Sequence, residues 1–163
     1  MKTLLILRHA KSSWKDDGLP DHDRPLNKRG ERDAPRVGKL LLEQGLIPDL
    51  IISSTAKRAR KTAKMVAKGC GYARKIQLTP DFYLAPAGVY IEVLSGLPVD
   101  YSQVMVVGHN PGMEELVGRL TRKPEAMPTA ALAHVSLPLD RWSTLDGATG
   151  GKLIHLCRPR ELL

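Results

Sequence analysis

Residues 4–7, LLIL, are aliphatic without a break and stop abruptly at Arg8-His9. A strand that is apolar on both sides must be covered on both sides, which places it inside a parallel sheet between two helical layers. The same construction recurs in PDLIISS at 48–54 and QVMVVG at 103–108, with KIQLT at 75–79 as a further strand. Between these runs the spacing turns helical. Asn27 caps a predicted helix that reaches Gln44, with Val37, Leu40 and Leu41 on one face, Pro35 as a predicted kink and Gly45 at its end. TAKRARKTAKMVAKGCG puts Ala59, Ala63, Val66 and Ala67 on one side of a basic helix, and PAGVYIEVLSGL and PGMEELVGRL supply two more. LAHVSLPL and GKLIHLCR are predicted as two last strands, separated by a glycine-rich turn at Gly147–Gly151. With no repeat and no linker, this alternation predicts one α/β domain over residues 1–163. Its form is a three-layer α/β/α sandwich around a mostly parallel sheet.

The chain is long enough, at 163 residues, to bury such a core. It contains no apolar stretch of about 15 to 20 residues, so neither a membrane span nor a secretory leader is expected. Cys70 and Cys157, the two cysteines, are expected as reduced thiols, with the cytoplasm as the expected compartment. Lys and Arg outnumber Asp and Glu by 25 to 17, a balance of +8 that favours phosphate esters, phosphoproteins or nucleic acid alike.

Ligands of open α/β sheets bind at the carboxyl ends of the strands. Three strands end there in the same way: the first in Arg8-His9, the second just before a helix carrying Arg58, the fourth in His109-Asn110. A phosphoryl group explains the set, because guanidinium groups match its equatorial oxygens and a neutral imidazole can attack phosphorus and hold it covalently. Asn110-Pro111 also reads as a helix start, with Asn capping and free backbone N–H groups beside His109 that would favour an anion. Lys11, Ser12 and Asn110 are the candidate substrate-binding residues next to this set.

Other chemistries fit less well. A cysteine phosphatase needs Arg six positions after its Cys, where this chain has Ile76 and Leu163. DHDRP has an Asp-x-Asp spacing but lacks the preceding apolar strand of haloacid-dehalogenase-like phosphatases. No His-Glu-x-x-His, clustered Cys/His spacing or Gly-x-x-x-x-Gly-Lys loop is present, so no metal site is expected. His22 is isolated, and His134 and His155 fall within late strands and are expected to be structural. A non-enzymatic alternative is a basic domain that binds nucleic acid or an acidic protein through AKRARKTAKMVAKG, but aromatic residues are only 4% of the chain and none interleaves with that run, which makes nucleic acid the weaker partner.

LRHAKSSW resembles the opening motif of the histidine phosphatase superfamily, usually Arg-His-Gly, while SSTAKRARKTA and VVGHNPG resemble its second and third blocks. Together with DRPLNKRG and the short length, they look most like the SixA-type phosphohistidine phosphatases, over nearly the whole chain. The resemblance implies a phosphoglycerate-mutase-like fold, no cofactor, His9 as phosphoacceptor, Arg8 and Arg58 as phosphoryl ligands and His109 completing the pocket. It further implies a metal-independent phosphatase whose partner is a phosphorylated protein, either a histidine-containing phosphotransfer domain or a phosphocarrier. A small-metabolite phosphomonoesterase or mutase of the same superfamily is the alternative, although the chain leaves little room for the substrate cap of such enzymes. Ala10 departs from the superfamily glycine. No Glu matches the general acid of larger members, which leaves Asp21, Asp23 and Asp81 as candidate acids. Weak acid assistance suits a phosphoramidate, whose imidazole leaves readily once protonated, better than an alkyl ester. The flanking arginines are expected to keep His9 neutral by repulsion.

Overall fold

A computed structural model describes residues 1–162. Six strands form one sheet: β1 (Lys2–Arg8), β2 (Leu50–Ser54), β3 (Gln77–Thr79), β4 (Gln103–Gly108), β5 (Leu132–Leu137) and β6 (Lys152–Cys157), in the order β3-β2-β4-β1-β5-β6. β1 pairs in parallel with β4, and β2 in parallel with both β3 and β4, whereas β5 runs antiparallel to β1 and β6. Four α-helices cover the sheet: α1 (Lys28–Glu43), α2 (Lys57–Cys70), α3 (Ala87–Ser95) and α4 (Gly112–Thr121).

The unbroken LLIL run is explained by the two cores it serves. Leu4 and Ile6 belong to the core beneath α3 and α4, and Leu5 and Leu7 to the one beneath α1 and α2, all four with no exposed surface. Val37, Leu41, Ala59, Ala63, Val66 and Ala67 fill the second core as their helical spacing predicted, and Leu40 packs against it. Asn27 caps α1 by accepting from the Gly30 N–H at 2.9 Å, and α1 runs through Pro35 without ending. Gly45 follows the helix at φ +66°, a left-handed position that suits glycine. Ile154 and His155 of β6 are exposed on an edge strand, and His155 sits opposite His134 across the β5–β6 pair. Among the described residues no helix is long and apolar enough to cross a membrane.

The sheet order decides where a ligand can sit. α1, which follows β1, lies on one face, while α4, which follows neighbouring β4, lies on the other. The chain therefore leaves the carboxyl ends of β1 and β4 in opposite directions, and a crevice opens between them.

Gly30 ties α1 to that crevice. A Cβ on Gly30 would fall well inside van der Waals contact with the backbone carbonyl of Lys11, whose oxygen also accepts the Asn27 N–H at 3.0 Å. Gly30→Ala must therefore displace the loop that follows His9, and it should destabilise the protein by about 1–3 kcal/mol. A drop in urea midpoint at unchanged m-value, with turnover falling too, is the expected result.

Candidate active site

The parallel register of β1 and β4 sets Arg8 opposite Gly108, so the residues that follow, His9 and His109, emerge side by side. The His9 N–H donates to the Gly108 carbonyl at 3.0 Å, and the two imidazole centroids are 5.1 Å apart. β2 flanks β4 on its other side and ends at Ser54, whose hydroxyl lies 2.8 Å from His109 Nε2. Arg58 follows one residue into α2. A cavity of about 450 Å3 is lined by all four expected residues, Arg8, His9, Arg58 and His109, and by Lys11, Ser12 and Asn110. A larger hollow, about 660 Å3, lies beside α4, but Glu114, Glu115 and Glu125 face a single Arg119 there, the wrong sign for a phosphoryl group.

His9 is 7% exposed, and its Nδ1 lies 2.8 Å from the Ala10 carbonyl oxygen. A carbonyl only accepts, so Nδ1 carries the hydrogen and Nε2 keeps its lone pair for attack. His109, 1% exposed, has Nε2 on Ser54 and Nδ1 buried without a partner. Arg8 donates from Nη1 to the Met127 carbonyl at 3.0 Å, and its Nε is likewise buried and unpaired. Ala10 takes the superfamily glycine position at no conformational cost. It is not among the residues of positive φ, its methyl group belongs to the core under α1 and α2, and its N–H donates to Thr62 Oγ1 at 2.9 Å.

Three expectations are corrected. The first is the cause of His9's neutrality. Its pKa falls from 6.5 to about 3 chiefly because it is buried; the positive surroundings of His109, Arg58 and Arg8 add less, and the Ala10 bond opposes the shift. His109 falls to about 4, again through burial first and Arg58 second. The second is the anion cradle at the start of α4. The helix begins at Gly112, Pro111 holds the cap position, and the Met113 and Glu114 N–H groups are already bonded to the His109 carbonyl and Asn110 Oδ1. Asn110 also donates to the Met127 carbonyl at 2.9 Å, so its amide braces the pocket.

The third concerns the acids. Asp23 and Asp81 are exposed and do not line the cavity. Asp21 does, but its carboxylate accepts from Arg58 Nη2 at 3.0 Å, from Arg24 Nη1 at 3.1 Å and from the Tyr83 hydroxyl. These bonds, that of Tyr83 foremost, hold its pKa well below the usual carboxylate range. Asp21 is thus an anion that clamps Arg58, whose Nη1 also donates to the Asp21 carbonyl at 2.7 Å. Both ends of the Arg58 fork touch Asp21, which leaves the second hydrogen on each of these nitrogens and the Nε–H for a phosphoryl oxygen.

Several residues of the site were not singled out from the sequence. Ser54 orients His109, and Tyr83 braces Asp21 while its ring edge packs on His109 at 5.5 Å. Thr129 lines the cavity, and the neighbouring Ala130 N–H, at φ +62°, reaches the carbonyls of both Arg8 and His9. Arg24 lay in view within DRPLNKRG: its guanidinium donates to the Ser13 carbonyl, Ser12 Oγ and Asp21 at 3.1, 2.6 and 3.1 Å. Among the described residues no group of three His, Cys, Asp or Glu side chains is placed to share a metal ion.

Burying two neutral imidazoles has a stability consequence whose sign follows from linkage. Both folded pKa values lie below the ordinary 6.5, so the unfolded chain takes up protons that the folded chain refuses as pH falls from 6.5 towards 4 and 3. Stability is full above that window and drops through it, by on the order of several kcal/mol for the pair. Urea midpoints should fall between pH 7 and pH 4, and His9→Gln should flatten that fall; an equal slope in the variant would reassign it.

Residues 4–83 match the histidine phosphatase superfamily (branch 1). A chloroplastic protein of Arabidopsis thaliana is 38% identical, with 97% of this chain and 78% of the plant protein aligned. The crystal structure of SixA from Agrobacterium tumefaciens superposes with a TM-score of 0.83 at 28% identity, covering 97% of this chain and 98% of that one. The protein histidine phosphatase SixA complexed with tungstate shares the fold, with a TM-score of 0.84 at 22% identity and 99% of each chain covered. Motifs, fold and paired strand-end histidines agree: the chain belongs to the histidine phosphatase superfamily and is SixA-like within it.

Proposed function

We propose that this phosphatase removes phosphoryl groups from phosphohistidine on a protein, and that it does so through a phosphohistidine formed on its own His9. The carrying observation is the state of Asp21. The single carboxylate among the three candidate acids that lines the cavity is held as an anion, and the Tyr83 hydroxyl, spent on Asp21, has a pKa raised by burial and by that same neighbour. Neither group offers a proton to a departing alkoxide. A phosphohistidine brings its own, on the second nitrogen of its ring.

His9 Nε2 then attacks phosphorus, the P–N bond to the substrate breaks, and the substrate leaves as a neutral imidazole. Water attacks the phosphoenzyme in turn, the His9–P bond breaks, and inorganic phosphate departs as the water's proton passes to the freed nitrogen or to solvent. The unpaired Arg8 Nε and His109 Nδ1, with the remaining hydrogens of Arg58, supply donors for charge that builds up in the transition state. A SixA structure of the same fold is complexed with tungstate, an oxyanion. No step requires a metal ion.

A phosphotransfer or phosphocarrier domain fits as the partner, because an open cavity at the carboxyl ends of the central strands can receive a histidine from another protein's surface. Partners of that kind belong to signalling or sugar uptake. The buried free thiols Cys70 and Cys157 fit a reducing compartment such as the cytoplasm.

The test compares kcat/KM for a phosphohistidine peptide with those for glycerol phosphate and hexose phosphates, with and without chelator. The peptide should lead by at least about tenfold, vanadate should inhibit, and chelator should change nothing. A phosphorylated metabolite in first place, or activity lost to chelator and restored by a divalent ion, would overturn the proposal.

A further inference from the structure

Among the described residues eight large apolar side chains are exposed, and two of them, Trp14 at 70% and Leu84 at 55%, line the same cavity as His9. Neither is placed loosely. The Arg24 guanidinium carbon lies 3.2 Å from the centre of the Trp14 ring, and Arg24 itself is 7% exposed and held by Ser12, Ser13 and Asp21. One face of the indole therefore rests on a fixed, buried support, and the large exposure leaves the other face open at the cavity mouth. Leu84 is held at φ +50°, a left-handed backbone that a bulky non-glycine residue adopts at some strain, and strain of this kind collects at sites of function.

We infer that Trp14 and Leu84 form a leaving-group subsite that takes a flat unsaturated ring, with Trp14 stacking on the ring and Leu84 closing against its edge. This rests on the phosphohistidine reading and names what that reading leaves open: how the enzyme grips the departing imidazole. The buried lining of Arg8, His9, Arg58 and His109 is polar and ionic, whereas Trp14 and Leu84 add exposed apolar surface to the same cavity. A sugar or glycerate would need polar partners at the rim, whereas an imidazole needs a flat apolar surface. Asp21, paired with Arg24 at 3.1 Å, offsets part of the Arg24 charge that faces a protonated ring across the indole. The open face of Trp14 then offers its ring to a cation as well as to a stack.

A flat ring could also be a nucleobase or an aryl group, and the substrates tell these apart. Wild type, Trp14→Ala, Trp14→Phe and Leu84→Ala are assayed on a phosphohistidine peptide, on phosphoramidate, which has the same P–N bond and no ring, on p-nitrophenyl phosphate and on adenosine 5′-monophosphate. Trp14→Ala should lower kcat/KM by about three- to tenfold on the peptide and on p-nitrophenyl phosphate, the range expected for one aromatic stack. Phosphoramidate should be unaffected, Trp14→Phe should recover most of the loss, and Leu84→Ala should show the same pattern more weakly. An equal loss on all substrates, phosphoramidate included, would make Trp14 a mere lid on Arg24 and overturn the subsite. No loss on any substrate would overturn it as well. A loss confined to the nucleotide would reassign the ring to a base. If the wild type ignores the phosphohistidine peptide, the function proposed above fails, while the p-nitrophenyl phosphate arm still decides whether the subsite exists.

Discussion

His9→Ala should give a folded protein that forms no phosphoenzyme and whose turnover is lower by about 10⁴-fold or more, as for loss of a nucleophile elsewhere. The argument lies in which imidazole nitrogens are free. His109 cannot stand in for His9, since its Nε2 is engaged by Ser54 and its Nδ1, as a donor to the phosphoryl group, carries the hydrogen and has no lone pair for attack. His22 is also committed, with Nε2 at 2.9 Å from Thr55 Oγ1 and Nδ1 at 3.6 Å from Asp23. His9 alone presents a nitrogen with a lone pair in the cavity while the other nitrogen is pinned to Ala10. The fold should survive, because the substitution removes a polar ring that is held neutral in a buried place. Trapping with radiolabelled substrate reads the result: an acid-labile label on wild type and none on the variant. A label that persists in His9→Ala would show another residue to be the phosphoacceptor.

What the sequence made legible follows the distance along the chain over which each feature acts. β1, β2 and β4 could be read because burial on both faces leaves a continuous apolar run, and Leu4 to Leu7 serve the two cores alternately. Arg8, His9 and His109 could be read because strand ends fix their position, with only the parallel pairing of β1 and β4 needed to bring them together. Asp21 shows where such reading stops. As a carboxylate on a loop it could be an acid, a cap or a clamp, and contacts 37 and 62 residues away, with Arg58 and Tyr83, decide the matter. The α4 start misled for a related reason: Asn110 Oδ1 does take a first-turn N–H, that of Glu114, but the helix begins only after Pro111 and the amide nitrogen of Asn110 is held by the distant Met127 carbonyl. Arg24 was visible as a motif letter, but its support of Trp14 depends on how the loop from Ser12 to Asp21 closes on itself.

Arg58 carries the second large effect, and it should appear in kcat more than in KM. The transferring phosphoryl group gathers negative charge on its equatorial oxygens as the bond to the leaving group lengthens, so a donor aimed at them gains strength in the transition state. Arg58 is 4% exposed, where water cannot replace it, and Arg58→Ala should lower kcat by about 10²- to 10³-fold. Arg58→Lys keeps the charge but loses the fork. A single ammonium cannot hold the Asp21 carbonyl and carboxylate, at 2.7 and 3.0 Å, and still offer two parallel donors to phosphate. One lost charge-assisted bond, roughly 1.5 kcal/mol, sets the expected fall at about tenfold or more. Asp21→Asn separates aim from charge: it leaves the guanidinium in place with a weaker clamp, so its loss should lie between those of wild type and Arg58→Lys. It should also bring down the acid stability that an ionised Asp21 confers above its depressed pKa. Steady-state kinetics on p-nitrophenyl phosphate measure all three variants with one substrate. Equal rates for Arg58→Lys and wild type would remove the Arg58 fork from the transition state and leave Arg8 and His109 to carry it.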